Sequence, residues 1–219
     1  MDKGHVYLVD DNADIRWHLT GLLKQFGFAV DDMESAQAFI GIKKLVRPAV
    51  LVVDMRMPEL SGLDLQTHLH NQSIFIPVIF ISGESQQQEI INAMKAGAIE
   101  FLWKPFESAH LIAAIERGLL LDTAHLKTQS RTHALHQLEA ALSPREHEIF
   151  IYMLQGKSNK EIAEELGINA DTVKKHRAQV MAKMKVTTLH DLLSLWDKVT
   201  PSLPSKFNGV GGAHGVQRK

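Results

Sequence analysis

The chain has 219 residues with a net charge of −1, and its 45% hydrophobic and 22% charged residues suit one or two ordinary globular domains. No apolar run approaches the roughly 20 residues that span a bilayer, and the first residues lack a signal-peptide pattern, so we expect a cytoplasmic protein with no membrane contact. The absence of cysteine excludes disulfides, thiolate metal sites and cysteine nucleophiles.

The first 120 residues alternate short apolar runs with segments of helical periodicity. Gly27, Gly97 and the Arg47-Pro48 pair mark the ends of helical segments. Continuous apolar strands that alternate with helices predict an α/β domain with a five-stranded parallel, doubly wound sheet covered on both faces. The predicted strands are 5–9, 28–30, 49–53, 76–81 and 99–102, and the predicted helices lie within 15–26, 36–46, 63–69, 86–96 and 107–121.

The chain changes character after this domain, which we assign to residues 1–121. Residues 122–137 are polar and rich in helix formers, and we expect a helical linker there. Ser143, Pro144 and Glu146 form a capping box with proline at the first helical position, which predicts that a new domain begins nearby. We assign this second domain to residues 138–199, and we expect the Gly-, Pro- and Ser-rich tail at 200–219 to be disordered.

Polar residues follow four of the predicted strands: Asp10 and Asp11, Asp54, Ser82 and Lys104. Because the carboxyl ends of parallel strands share one edge of a sheet, these side chains are expected to meet there. Three carboxylates predict a site for Mg²⁺, which prefers oxygen ligands, and one of them can attack a phosphoryl group. A single aspartate after a strand is more often a helix cap, and Asp11 could cap the first helix. Their joint occurrence favours the functional interpretation.

Several short motifs stand at the strand ends and in the loops of the first domain. They are Asp10-Asp11, Asp54-Met55-Arg56-Met57-Pro58 with Ser61-Gly62, Ser82-Gly83, Ala96-Gly97-Ala98 and Phe101-Leu102-Trp103-Lys104-Pro105-Phe106. With these motifs, residues 3–121 resemble the receiver domain of bacterial response regulators.

The resemblance implies that Asp54 accepts phosphate from a sensor histidine kinase. It also implies that Asp10, Asp11, Asp54 and the Arg56 backbone carbonyl arrange Mg²⁺, that Ser82 and Lys104 bind the phosphoryl group, and that Phe101 is the switching aromatic. Phe101 lacks the phenolic hydroxyl of the tyrosine common in this family, so its switching must depend on packing.

The second domain is predicted to be small, all-α and built of four helices. Gly156 and Gly167 end its first two helices, a longer helix covers about 171–185, and the last covers 190–196. A tight turn between the second and third helices predicts a helix-turn-helix whose later helix enters the major groove. Periodicity alone would equally suit a helical bundle with a charged outer face.

The second domain contains its own set of motifs. They are Leu142-Ser143-Pro144-Arg145-Glu146, Gly156, Asn159-Lys160-Glu161-Ile162-Ala163, Leu166-Gly167-Ile168, Thr172-Val173-Lys174-Lys175-His176-Arg177 and Arg177-Ala178-Gln179-Val180-Met181-Ala182-Lys183-Met184. With these motifs, residues 138–198 resemble the LuxR-type DNA-binding domain. Joined to a receiver, this domain resembles the FixJ/NarL class of regulators, and most of all its FixJ-like branch.

The resemblance makes Lys174 a candidate for base contacts, and Lys160, Arg177 and Lys183 candidates for phosphate contacts, with Thr172 and His176 as further candidates. For Trp196 in the last helix, a dimer contact and core packing remain equally open.

The expected function is a bacterial transcription regulator that responds to phosphorylation of Asp54. Phosphorylation is expected to expose a dimerisation face in the 86–121 region, so that a homodimer binds double-stranded promoter DNA and works with RNA polymerase. No enzymatic activity is expected apart from its own aspartyl phosphorylation and dephosphorylation. One alternative is a phosphorylation-independent DNA binder that uses the receiver as a dimerisation scaffold. A remote alternative is a Mg²⁺-dependent phosphatase with Asp54 as its nucleophile. Arg56 disfavours it, because the haloacid-dehalogenase pattern has a second aspartate two positions after the nucleophile.

Overall fold

A computed structural model describes residues 3–197. The chain divides into two compact units, Met1–Lys127, here called the sheet unit, and Thr128–Lys219, here called the helical unit. The division falls within one helix, α5 (Ser108–Ala140). The tail predicted at 200–219 lies outside the described residues. Within residues 3–197, no helix combines the length and apolar character needed to cross a membrane.

The sheet unit contains five parallel strands in the order β2-β1-β3-β4-β5, which confirms the predicted fold class. The three central strands are buried along their whole length, as strands covered on both faces must be. All five carboxyl ends lie at one edge of the sheet because every neighbouring pair is parallel. The strands are β1 (His5–Val9), β2 (Ala29–Met33), β3 (Ala49–Asp54), β4 (Val78–Ser82) and β5 (Glu100–Trp103).

Helices pack on both faces of this sheet and enclose two apolar cores. Tyr7, Val53 and Phe80 belong to the core on one face, and Leu8 and Ile115 to the core on the other. Side chains from each central strand enter both cores because successive residues of a strand point to opposite faces. The helices are α1 (Ala13–Gln25), α2 (Ala36–Ile40), α3 (Gly62–Asn71), α4 (Gln87–Lys95) and the first part of α5.

Two predicted elements differ clearly from the structure. The helix predicted for 36–46 ends at Ile40. The backbone N–H of Val46 donates instead to the Tyr7 hydroxyl at 2.7 Å, and the chain there approaches Pro48, which disfavours helical conformation in the residue before it. The strand predicted for 28–30 runs from Ala29 to Met33, because an edge strand remains partly exposed and its polar residues conceal the apolar pattern.

The helix predicted for 107–121 continues as α5 through residues 122–137, the segment for which a helical linker was expected. Asp122 is fully buried, and its carboxylate accepts hydrogen bonds from the Arg47 guanidinium and, at 2.8 Å, from the Ala49 N–H. The rings of Phe75 and His125 stack with their centroids 4.0 Å apart. The first residues after position 121 therefore pack against the sheet unit.

The helical unit is built from the last part of α5 and four further helices around one apolar core. The predicted capping box is present, since the Ser143 hydroxyl accepts from the Glu146 N–H and the Glu146 carboxylate accepts from the Ser143 N–H. Trp196 is only 8% exposed, and its ring centroid lies 5.0 Å from that of Phe150. Of the two alternatives for this residue, the structure therefore shows core packing. The helices are α6 (Pro144–Leu154), α7 (Asn159–Leu166), α8 (Ala170–Lys183) and α9 (Leu189–Asp197).

Candidate functional site

The carboxyl edge of the sheet contains an open cleft of about 290 Å³. Strand register accounts for its composition, because Asp54 pairs with Ile81 and Ser82 pairs with Trp103, so that Lys104 follows directly. The predicted strand-end residues therefore line one cleft. The lining residues are Asp10, Asp11, Asn12, Ile15, Asp54, Arg56, Ser82, Gly83, Glu84 and Lys104.

The Lys104 ammonium joins two buried carboxylates. Its Nζ lies 2.6 Å from Asp10 Oδ2 and 2.6 Å from Asp54 Oδ1. Burial alone would lower the pKa of Lys104, but the hydrogen bonds to both carboxylates outweigh it and raise that pKa. Burial raises the pKa of Asp54, against the opposing effect of Lys104. The net effect raises the pKa of Asp54 above the usual value for an aspartate.

The loop after β3 fixes the second oxygen of Asp54. The Arg56 N–H donates to Asp54 Oδ2 at 2.6 Å, so both carboxylate oxygens are held. The Gly62 N–H donates to the Met55 carbonyl at 3.1 Å, and this loop folds back closely onto β3. A Cβ at position 62 would collide with the Asp54 carbonyl oxygen, so the close approach requires glycine.

The Ser82 hydroxyl is engaged by its own loop. It donates to the Glu84 carbonyl at 2.8 Å and accepts from the Ser85 hydroxyl at 2.9 Å and from the Glu84 N–H at 3.3 Å. To donate to a phosphoryl oxygen, Ser82 must exchange its bond to the Glu84 carbonyl for the new one. Ser85 was missed by sequence reasoning, and the only signal for it is a second hydroxyl three residues after Ser82.

The third carboxylate of the predicted metal site, Asp11, is exposed and lies on the same cleft. It does not cap the first helix, since the Asn12 side chain accepts from the N–H groups of Asp14 and Ile15. Among the residues that the structure describes, no three acidic or histidine side chains gather closely enough to hold a metal ion, and the Lys104 ammonium takes the place between Asp10 and Asp54. The oxygen donors nevertheless suit a hard cation such as Mg²⁺.

Phe101, the predicted switching aromatic, is half-buried on β5. It packs on the core that contains Tyr7 and Phe80, and its ring contacts Trp103 edge to face with centroids 5.2 Å apart. Trp103 is 47% exposed. Phe101 therefore lies between the sheet core and an exposed aromatic ring, where a change in its packing would alter the surface.

Some of the residues that we predicted to contact DNA are exposed on the surface of the helical unit. A short turn at Gly167, which has a positive φ of 62°, joins α7 to α8. Lys160, Thr172 and Lys174 are exposed, and His176 is half-buried.

Two predicted phosphate contacts are engaged within the helical unit. The Arg177 guanidinium donates to the Lys157 carbonyl at 3.0 Å. Lys183 Nζ lies 2.6 Å from Glu146 Oε2 and 3.2 Å from the Ala141 carbonyl oxygen. Arg177 and Lys183 therefore each have a hydrogen-bond partner within the helical unit, and the Lys183 side chain remains 41% exposed.

Comparison with known proteins identifies both units. Residues 6–116 match the response regulator receiver domain, and residues 140–196 match the LuxR family of bacterial regulatory proteins. The chain is 40% identical over 193 residues to the transcriptional regulatory protein FixJ of Rhizobium meliloti, covering 87% of this chain and 93% of FixJ. It is 36% identical over 198 residues to the response regulator protein TodT of Pseudomonas putida, covering 90% of this chain and 87% of TodT.

Solved structures agree with these matches. The response regulator StyR superposes with a TM-score of 0.78 at 40% identity, over 89% of this chain and 98% of StyR. Full-length FixJ from B. japonicum superposes with a TM-score of 0.57 at 34% identity, over 92% of this chain and 100% of FixJ. The chain therefore belongs to the two-component response regulators of the FixJ/NarL type, in which a receiver domain is joined to a LuxR-type DNA-binding domain that regulates transcription.

Proposed function

We propose that Asp54 accepts a phosphoryl group from a sensor histidine kinase and thereby controls binding of promoter DNA. An Asp54 carboxylate oxygen attacks the phosphorus of the kinase phosphohistidine. An O–P bond forms, the P–N bond breaks, and the imidazole leaves as the neutral base after taking up a proton. The observation that carries the proposal is the buried Asp54 carboxylate, which lines an open cleft and is held by Lys104 at 2.6 Å and by the Arg56 N–H.

Asp10, Asp11, Asp54 and the Arg56 carbonyl would hold Mg²⁺ at this cleft. When bound, Mg²⁺ supplies positive charge that offsets the repulsion between the phosphoryl oxygens and the carboxylates. The protein contributes a further cation, Lys104, whose ammonium already lies beside Asp54 and can donate to a phosphoryl oxygen.

The phosphoryl group can shift a conformational equilibrium only through contacts that differ between the two states. Ser82 provides such a difference, because its hydroxyl leaves the Glu84 carbonyl when it donates to the phosphoryl oxygen. Movement of the β4–α4 loop would then alter the packing of the half-buried Phe101 ring. This transmits the signal without the phenolic hydrogen bond that a tyrosine would offer.

The active form is a homodimer in this proposal. The region 86–121 supports a dimerisation face, because Ile91, Met94 and Trp103 are large apolar side chains that are each more than one third exposed. Two α8 helices would then occupy major grooves about 34 Å apart, which predicts an inverted-repeat site.

In this proposal, Lys174 would contact base edges and Lys160 would contact backbone phosphates. Thr172 and His176 would contact base edges or phosphates. Contact with RNA polymerase would follow on the promoter. We place this activity in the bacterial cytoplasm, where kinase and chromosome are both accessible.

The test is acetyl-phosphate labelling of the full chain together with genome-wide mapping of bound DNA. Asp54→Asn is expected to abolish labelling and to lower promoter occupancy, whereas Asp14→Asn, an exposed aspartate of α1, should leave both unchanged. Labelling that persists in Asp54→Asn would refute Asp54 as the acceptor. Equal occupancy by wild type and Asp54→Asn would favour the phosphorylation-independent DNA binder instead.

A further inference from the structure

A lysine at the end of α8 belongs to an ion pair within the helical unit. Lys183 Nζ lies 2.6 Å from Glu146 Oε2. Glu146 is only 5% exposed, whereas the Lys183 side chain is 41% exposed. A second bond from the same ammonium reaches the Ala141 carbonyl at 3.2 Å. One side chain of α8 thus holds two groups at the start of α6.

The carboxylate oxygen that binds Lys183 also belongs to the helix cap. Glu146 Oε2 accepts from the Ser143 N–H at 2.7 Å, as the capping box requires. The hydrogen bond from Lys183, followed by the bond from the Ser143 N–H, lowers the pKa of Glu146 to about 2. The carboxylate is therefore ionised throughout the physiological range, and the ion pair persists there.

A second tie holds the same helix nearer its middle. The Arg177 guanidinium donates to the Lys157 carbonyl, which precedes α7. With Lys183 bound to the start of α6, α8 is fixed at two points to two different parts of the helical unit. Together with the apolar core, these two ties hold the helix that carries the exposed Thr172 and Lys174.

We infer that Lys183 is a positioning residue for DNA recognition, which sets the orientation of α8 through Glu146 and does not contact a backbone phosphate. This rests on the proposed function, in which α8 enters the major groove. Two of the three N–H groups of the ammonium are already engaged, by Glu146 and the Ala141 carbonyl, and the Glu146 carboxylate offsets the positive charge that would attract a phosphate. A move of the ammonium towards a phosphate that lengthened this pair would leave the nearly buried carboxylate without its counter-ion, which opposes such a contact.

The salt dependence of DNA binding separates the two roles. Each phosphate contact contributes about −0.9 to the slope of log affinity against log salt concentration. The probe is a promoter duplex recovered by genome-wide mapping of the wild type. With Lys183→Met, affinity is expected to fall about 2- to 150-fold, the range of coupling within one ion-pair network, while the slope stays unchanged. In the comparison variant Lys160→Met, the slope should become shallower by about 0.9.

Glu146→Gln provides the reciprocal test. Glutamine can still complete a capping box, so the start of α6 is preserved. Removal of a negative charge from a DNA-binding domain should strengthen binding if only net charge matters, whereas the inference predicts weaker binding with an unchanged slope. The double variant should bind no more weakly than Lys183→Met alone, and Lys183→Arg should restore affinity. Circular dichroism gives the melting temperature of each variant, and all affinities are measured below that temperature.

Two results would overturn the inference: a slope shallower by about 0.9 in Lys183→Met, or tighter binding by Glu146→Gln. The proposed function fails differently, since in that case Lys160→Met and Lys174→Met would bind the promoter as the wild type does. A variant that unfolds at all temperatures leaves Lys183→Arg and Glu146→Gln to decide.

Discussion

The buried ion pair between Arg47 and Asp122 predicts a large loss of stability when one partner is changed. Asp122 is fully buried, and only 19% of the Arg47 side chain is exposed. The Asp122→Asn substitution keeps an oxygen that can accept from the Ala49 N–H, but it removes the charge that balances the guanidinium. Removal of one partner of a buried pair costs about 3–5 kcal/mol. The free energy of unfolding of the sheet unit should fall by that amount.

Hydrogen exchange at the backbone amides of β3 measures this loss within the sheet unit alone. A decrease of about 3–5 kcal/mol corresponds to a protection factor that is lower by roughly 150- to 5,000-fold. Glu116→Gln is the matched control. Glu116 lies on α5, as Asp122 does, and forms an ion pair with Lys3 in which both side chains are about half exposed. Exposed pairs contribute about 0–1 kcal/mol, so this control should change protection less than about 5-fold.

The reciprocal variant tests the same reasoning. Arg47→Met leaves the Asp122 carboxylate buried without its counter-ion and should cause a loss of similar size. If Asp122→Asn lowers protection no more than Glu116→Gln does, the pair does not stabilise the sheet unit as proposed.

Two further predictions concern single hydrogen-bonding groups. Ser85→Ala removes a bond of about 0.5–1.5 kcal/mol that helps to hold the Ser82 hydroxyl in the orientation in which it donates to the Glu84 carbonyl. Because Ser82 then turns more easily towards a phosphoryl oxygen, acetyl-phosphate labelling should speed up about 2- to 10-fold; an unchanged or slower rate would contradict this. The pKa of Glu146 is lowered from 4.5 to about 2 in the folded chain, so its contribution to stability is complete above about pH 4.5 and is lost as the pH falls towards 2. Thermal melts of the helical unit should show this loss, and Glu146→Gln should remove it; a variant with the same pH dependence as the wild type would refute the assignment.

The cleft could be predicted because parallel strands end at one edge of a sheet. Asp10, Asp54, Ser82 and Lys104 each follow a strand with a clear apolar pattern, and that pattern is enough to bring them together. The partners of Ser82 could not be predicted in the same way. Ser85 lies in a loop, where hydrogen bonds depend on backbone conformation and no periodicity reports on them.

The polar composition of residues 122–137 conceals the packing of the first residues of this segment within the sheet unit. Asp122 begins the segment that we predicted to be a helical linker, and yet its carboxylate is buried. Its partner in the ion pair, Arg47, lies 75 positions away in the chain. In the sequence, the two residues of a buried ion pair look the same as two charged residues that are exposed to solvent. Only the three-dimensional proximity of the partners distinguishes them, so the sequence alone does not reveal that Asp122 packs within the sheet unit.

The same difficulty applies to the basic residues of α8 and its end. Helical periodicity places Lys174, Arg177 and Lys183 away from the apolar core, and from the sequence each is a possible phosphate contact. The structure separates them, because Arg177 and Lys183 bind a carbonyl and a carboxylate of the helical unit, while Lys174 makes no ion pair among the described residues. Salt dependence counts only the cations that displace counterions from DNA. The slope for the wild type should therefore be shallower than the number of basic side chains on this helix suggests, and Lys160→Met, at the proposed phosphate contact on α7, should reduce it where Lys183→Met does not.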